Sequence, residues 1–224
     1  MNNKERYRFG TYTTHIHCTG GFDALQEDAG QEEEHRQRLF VFDEETERLF
    51  GNEIPGGRQA ARVVLRRGEE SKSWESVSAV LEAAVANSCG RDGVFIGVGG
   101  GIVCDITAFA ASVYMRGCRL TLVPTTLLAM VDAAVGGKTG FNFAGYKNMA
   151  GTFYPAETVL LIPETLSTLP EKELLSGLAE NIIHGCLGDA SLFQLLKQKK
   201  REILTKKKDI LTEMIRKSVA VKAG

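Results

Sequence analysis

FIGVGGGIVCD, residues 95–105, runs a short apolar stretch into three consecutive glycines, Gly99, Gly100 and Gly101, and then into a second apolar stretch. The first part reads as a buried strand and IVCDITAFAASVYMRG, residues 102–117, as a helix. Glycines between a strand and a helix let main chain approach a ligand closely, and the helix start offers unpaired N–H groups to an anion such as a pyrophosphate. Two readings stay open for the turn by itself. Gly97 and Gly99 fit the GxGxxG dinucleotide pattern but residue 102 is Ile, and no lysine of the Walker type follows. A simple tight turn would use the same glycines.

Outward from this stretch the chain alternates. Residues 6–18 have strand-like alternation, with His15 and His17 on one face; a hydrated strand face accounts for them better than a metal pair, since no third ligand lies nearby. LFVFD (39–43) and RVVL (62–65) read as strands, and a helix begins near Trp74. CRLTLVPTT (118–126) and TVLLIP (158–163) add further strands. Strand–helix alternation over roughly the first 160 residues predicts an α/β domain with a largely parallel sheet. After TVLLIP the pattern turns helical, with Pro170 near a helix start. In the tail, Ile203, Leu204, Ile210, Leu211, Met214, Ile215 and Val219 recur at helical intervals. The lysines there are interspersed with acids and lack aromatic neighbours, so a solvated helix face explains them better than a nucleic-acid patch. QEDAGQEEEHRQR (26–38) reads as a solvated acidic loop or helix start.

Bulk properties narrow the class. A chain of 224 residues with 43% hydrophobic and 25% charged residues can bury a sizeable core. Its formal net charge of -1 gives no bias toward nucleic acid or membranes. Five cysteines, none in a CxxC pair, fit small buried residues in a reducing compartment. The opening MNNKERYRFG lacks the apolar core of a signal peptide, and the longest apolar run, LTLVPTTLLAMVDAAV, is short for a bilayer and carries Pro124 and Asp132. A cytoplasmic protein is the expectation.

PTTLLAMVDAAVGGKTGFNFAGYKN, residues 124–148, sets Thr125, Thr126, Asp132, Lys138, Asn142, Lys147 and Asn148 among apolar and small residues. Lone charges among apolar neighbours are costly unless paired or used on a ligand. Gly136-Gly137 would turn the chain sharply and bring the Lys138 ammonium into a cleft; an Asp132–Lys138 salt bridge under a loop is the plainer alternative. GLAENIIHG (177–185) spaces Glu180 and His184 four apart, which stacks them on one helix face as two adjacent metal ligands would stand.

Taken in order, GGGIVCD, FAASVYMRG, VPTTLLAMVDAAVGGKTGFN, YKNMAGTFYP and TLPEKELLSGLAENIIHG resemble the 3-dehydroquinate synthase family, from about residue 40 to the C-terminus and most strongly over 97–185. The resemblance implies a Rossmann-like NAD-binding α/β domain over 1–165, followed by the beginning of an all-α metal and substrate domain over 166–224. It implies a carbon–oxygen lyase that converts 3-deoxy-arabino-heptulosonate 7-phosphate to 3-dehydroquinate with loss of phosphate. NAD and a divalent metal, zinc or cobalt, would be its cofactors and a homodimer its assembly. Asp43 would hold the adenosine ribose. Glu69 and Lys72, in GEESK, would also meet the cofactor, Gly100, Gly101 and Asp105 would surround the pyrophosphate, and Thr125, Thr126, Thr168 and Leu169 would line the remaining NAD cleft. Asp132, Lys138, Lys147 and Asn148 would stand between nicotinamide and substrate, with Lys222 as a substrate lysine. Arg116 would reach substrate phosphate across the dimer interface, and Glu180 would ligate the metal.

Three departures from the family pattern shape the expectation. Ile183 stands where the family carries a lysine, Cys104 stands where a glycine precedes Asp105, and the two histidine metal ligands have no counterpart before Gly224. One carboxylate is not a zinc site. The chain is therefore expected to bind NAD and to turn over poorly or not at all. His184 is expected to be a neighbour of Glu180 with no role at the metal. Another sugar-phosphate cyclase, a polyol dehydrogenase, or a non-catalytic NAD-binding remnant are the alternative readings.

Overall fold

The computed structural model describes residues 3–27, 36–57 and 60–224; most of the acidic segment expected at 26–38 lies outside these. Five parallel strands form the centre: β3 (Arg38–Asp43), β4 (Arg62–Leu65), β5 (Val94–Gly99), β6 (Arg119–Pro124) and β9 (Thr158–Leu161). An antiparallel hairpin, β1 (Asn3–Phe9) and β2 (Tyr12–Cys18), extends the sheet through a parallel β2–β9 pairing. The run 6–18 is thus two strands folded at Gly10 (φ 61°), not one. His15 and His17 do share a face, their rings 6.5 Å apart. The order is β1-β2-β9-β6-β5-β3-β4.

Alternation within each strand builds two cores. Leu39, Val41, Phe95, Leu120, Leu122, Val159 and Leu161 point to one face, where α3 (Trp74–Ala86) and α4 (Gly101–Val113) pack. Phe40, Phe42, Ile96, Val98, Val123 and Leu160 point to the other, joined by Phe50 of α2 (Glu44–Phe50) and by residues of the short α1 (Ala24–Glu27). Near-continuous apolar strands are what a parallel sheet covered on both faces requires.

The last helices are α5 (Glu171–Leu187), α6 (Ala190–Gln198), α7 (Lys200–Leu204) and α8 (Lys208–Ala223). They continue the first core, to which Leu174, Leu192, Ile203, Leu211, Met214, Ile215 and Val219 all belong. The tail periodicity therefore marks two helices broken at Thr205–Lys207, with Lys206 in left-handed conformation (φ 56°).

Two elements escaped the pattern reading. Ala129–Ala133 forms a π-helical turn that carries Asp132. Residues 138–153 form a separate antiparallel hairpin, β7 (Lys138–Phe143) and β8 (Tyr146–Phe153), turning through Ala144 and Gly145, both at positive φ.

α5 meets the π-helical turn at Gly177, where a Cβ would come within 2.6 Å of both Leu127 Cβ and the Leu128 amide nitrogen. Backbone cannot yield as a side-chain tip can, so Gly177→Ala is expected to lower unfolding free energy by about 1–3 kcal/mol. Ser176→Ala, one residue away on the exposed side, should stay within about 0.5 kcal/mol. Urea titration of the two variants checks this; equal midpoints would contradict the close contact.

Candidate active site

The carboxyl ends of the parallel strands all open on one edge of the sheet. β3 is followed by α2 and β4 on one side, whereas β5 leads to α4 and β6 on the other. The crevice between β3 and β5 is therefore the point where strand order reverses, the usual ligand position in an open α/β sheet. Asp43 and Gly99 lie there, each two residues beyond the Val41–Gly97 pair.

The glycine turn sits at the head of α4, and no side chain caps that helix. Its first N–H groups and its dipole face the crevice, a ready anion site. Side chains at Gly100 and Gly101 would project against Thr126 and Ala133, at 3.3 and 3.5 Å respectively. Thr125 is buried and donates its N–H to Gly99 O at 2.9 Å. Thr126 Oγ1 accepts from Ala129 N at 3.2 Å, holding the start of the π-helical turn. Cys104 points away from the crevice into the core, its thiol 3.8 Å from Gly99 O, so the departure from glycine there is absorbed by packing.

Asp43 caps α2, accepting from Glu45 N at 3.0 Å and Thr46 N at 2.8 Å, while Thr46 Oγ1 accepts from Asp43 N at 3.0 Å. This cap role was not anticipated, although Asp-x-x-Thr was readable as a capping box.

Lys72 is buried, and its ammonium bridges Asp105 and Asn148, with the amide oxygen of Asn148 at 2.5 Å. A second chain of bonds runs beside it. Asn142 donates to Glu69 at 2.9 Å and accepts from Asn148 N at 2.9 Å; Lys147 lies 3.5 Å from Glu69. Asn148 itself is left-handed (φ 52°), a conformation asparagine tolerates well. Together these bonds tie the GEESK turn, α4 and the β7–β8 hairpin around one point. The hydrogen bond from Asn142 holds the Glu69 carboxyl below its usual range, with Lys147 adding to the effect. Burial pushes the Asp105 carboxyl up; Lys72 offsets part of that, while Asp132 and Glu69 add to it.

A cleft of about 430 Å³ opens beside this network, lined by Asp105, Asp132, Lys138, Asn148 and Lys222 among others. Asp132 does not pair with Lys138. It pairs with Lys222 of α8, at 2.5 Å, which frees the exposed Lys138 to face the cleft. The site thus gathers two carboxylates, two ammonium groups and an amide.

Other expected residues stand apart. Glu69, Lys72 and Lys147 flank the cleft without lining it. Thr168 is exposed and Leu169 buried, at the end of the Pro163–Thr168 turn; Lys206 donates to Ser167 O at 3.0 Å and Leu169 O at 2.6 Å, a fastening with no signal in the residue pattern. Arg116 follows the far end of α4, about 20 Å along the helix from Gly101. Met115 and Arg116 are consecutive left-handed residues (φ 49° and 68°), a strained corner of the kind found at functional sites.

Glu180 and His184 do share a face of α5, and they contact each other: Nε2 is 3.2 Å from Glu180 Oε1, and Nδ1 is 2.6 Å from Ser218 Oγ. Among the described residues no three His, Cys, Asp or Glu side chains gather closely enough to hold a metal ion.

Residues 62–176 match the family model described as 3-dehydroquinate synthase N-terminal, just over half of the chain. The chain belongs to the 3-dehydroquinate synthase family. It is 44% identical over 157 residues to the 3-dehydroquinate synthase of Chlamydia caviae, covering 70% of this chain and 41% of that one. With the 3-dehydroquinate synthase of Alkaliphilus metalliredigens it shares 39% over 189 residues, 83% of this chain and 53% of the relative. The chain thus spans about half the length of these curated relatives. Among solved structures it is similar to ValA, a 2-epi-5-epi-valiolone synthase from Streptomyces hygroscopicus subsp. jinggangensis with NAD+ and Zn2+ bound, at TM-score 0.80 and 28% identity, covering 92% of this chain and 59% of that one. No described helix is long and apolar enough to cross a membrane.

Lys72→Met would strand the half-buried Asp105 carboxylate, at a cost of about 1–3 kcal/mol near neutral pH. Removing the ammonium raises the Asp105 pKa further above its already raised parent value, so the stability of this variant relative to the parent should fall as pH climbs from the parent's raised value through the variant's higher one. Lys72→Met/Asp105→Asn should recover most of the loss. Unfolding midpoints across pH 4–8 test the sign, and a loss independent of pH would count against the pairing.

Proposed function

We propose that this chain provides the NAD-binding part, over 1–165, and the beginning of the helical part, over 166–224, of a 3-dehydroquinate synthase. One observation carries the reading: the uncapped glycine turn at the strand-order reversal stands beside a cleft that brings Asp132, Lys138, Asn148 and Lys222 together. The exposed N–H groups and the two glycines fit a pyrophosphate, and Asp43 is at the position for a ribose. ValA carries NAD+ in its solved structure, which supports the same cofactor here. When bound, NAD would supply a transient acceptor for hydride.

The protein's own groups bind and orient the substrate. Lys138 and Lys222 supply cationic charge for a substrate bearing phosphate and carboxylate, such as 3-deoxy-arabino-heptulosonate 7-phosphate, and hold it while its charge redistributes. Asn148, fixed by Lys72 and Asn142, offers a positioned amide at the same cleft. Arg116 does not line this cleft, which agrees with a homodimer in which it serves a second copy. Glu180 is proposed as one ligand of a zinc or cobalt ion. The residues described do not complete a metal centre, so no step is derived through it. Five free cysteines, three of them buried, agree with a reducing, cytoplasmic setting.

Ile183 favours a second reading, a sibling sugar-phosphate cyclase. It is apolar and exposed where a lysine is the family pattern, so it offers no charge to a substrate anion.

The test is calorimetric titration with NAD. The chain should bind it, and Gly100→Val, which crowds Thr126, should weaken binding by about tenfold or more with circular dichroism unchanged. No binding by the parent chain would remove the proposal. Phosphate release from the heptulosonate phosphate, compared with other sugar phosphates in the presence of zinc, separates the two readings.

A further inference from the structure

α8 carries Ser218 and Lys222 one helical turn apart, and therefore on one face. Ser218 is fully buried and contacts His184 Nδ1 at 2.6 Å, and Lys222 reaches Asp132 at 2.5 Å. His184 is itself buried, and its Nε2 lies against Glu180 at 3.2 Å. A carboxylate only accepts, so Nε2 donates to Glu180; in the neutral ring Nδ1 is then the acceptor of the Ser218 hydroxyl proton. The hydroxyl of a buried serine has few partners to exchange for this one, which gives the bond a defined geometry.

We infer that His184 is a positioning residue for Lys222: by holding Ser218 it sets the rotation of α8 about its axis and so delivers the Lys222 ammonium to Asp132 and the cleft. The other polar ties of α8 lie away from this face. Lys208 pairs with Glu164, Arg216 with Glu5 at 2.8 Å, and Lys217 donates to Ser191 at 2.7 Å. They fasten the helix to its surroundings but do not touch Asp132. The apolar contacts of Leu211, Met214, Ile215 and Val219 bury the helix without fixing which polar atoms meet. His184 also links α8 to α5, since the same ring contacts Glu180.

This inference rests on the reading of Lys222 as a group of the substrate cleft. Its test is the ammonium resonance of Lys222 in the whole chain labelled with 15N-lysine, a signal that persists when the group is held in an ion pair and is lost to solvent exchange when it is not. Assignment comes from Lys222→Met, and the Lys217 resonance serves as internal control. Asparagine can place a polar atom near ring Nδ1, and glutamine near Nε2. His184→Asn should therefore keep the Lys222 signal, whereas His184→Gln and Ser218→Ala should lose it with Lys217 unchanged. Retention of the signal in both His184→Gln and Ser218→Ala overturns the inference. So does loss of the Lys217 and Lys222 signals together, which would indicate general loosening of the helix. Titration of the cleft with inorganic phosphate is the separate check. If Lys222→Met binds phosphate as the parent does, the reading of Lys222 as a substrate group fails, while the resonance comparison still decides the link to His184.

Discussion

A parallel sheet covered on both faces leaves only its strand ends open, and everything chemical in this chain follows from that constraint. Phe40, Phe42, Ile96 and Val98 face one layer; Leu39, Val41, Phe95 and Leu122 face the other. With both surfaces consumed by packing, polar groups collect where the strands stop. Asp43, the glycine turn and Thr125 all fall at carboxyl ends, and the reversal of strand order between β3 and β5 leaves a gap between their connections. Helix α4 then turns that gap electropositive through its free N–H groups.

Charges recruited to such an edge must be neutralised without being blocked. Lys72 meets this by standing beneath the cleft, engaged with Asp105 and Asn148, so that α4 and the hairpin are joined through a buried cation. Lys138 stays exposed at the cleft itself. The distinction between a lysine that organises and one that is available cannot be made from residue type. It depends on which carboxylates the fold brings within reach.

That dependence explains what the sequence disclosed and what it did not. Runs such as LFVF (39–42) and VFIGVG announce buried strands because none of their residues is polar, and glycines before a helix announce a turn. The hairpin 138–153 stayed hidden because it is largely exposed and mixes lysine, glycine and asparagine with aromatics, with no clean alternation. The partner that spacing offered Asp132, as the plainer alternative to a cleft, was Lys138; the actual one, Lys222, comes from the far end of the chain, and pairing across that separation is decided by helix packing. The i,i+4 stacking of Glu180 and His184 was legible from spacing alone, whereas the engagement of His184 by Ser218 was not, since Ser218 reads as an unremarkable residue of an amphipathic helix.

The placement of Ser218 and Lys222 on a single turn of α8 carries a consequence for how this protein tolerates change. Each residue added to a helix turns everything beyond it by about 100°. A one-residue insertion in α8 ahead of Ser218 would swing both side chains off their partners together, while the apolar stripe could still find a burial register. The last helix is therefore bound to the sheet edge by phase as much as by contact. Its length is free to vary only in whole turns, and substitutions along it are judged by the angle at which they leave the cleft.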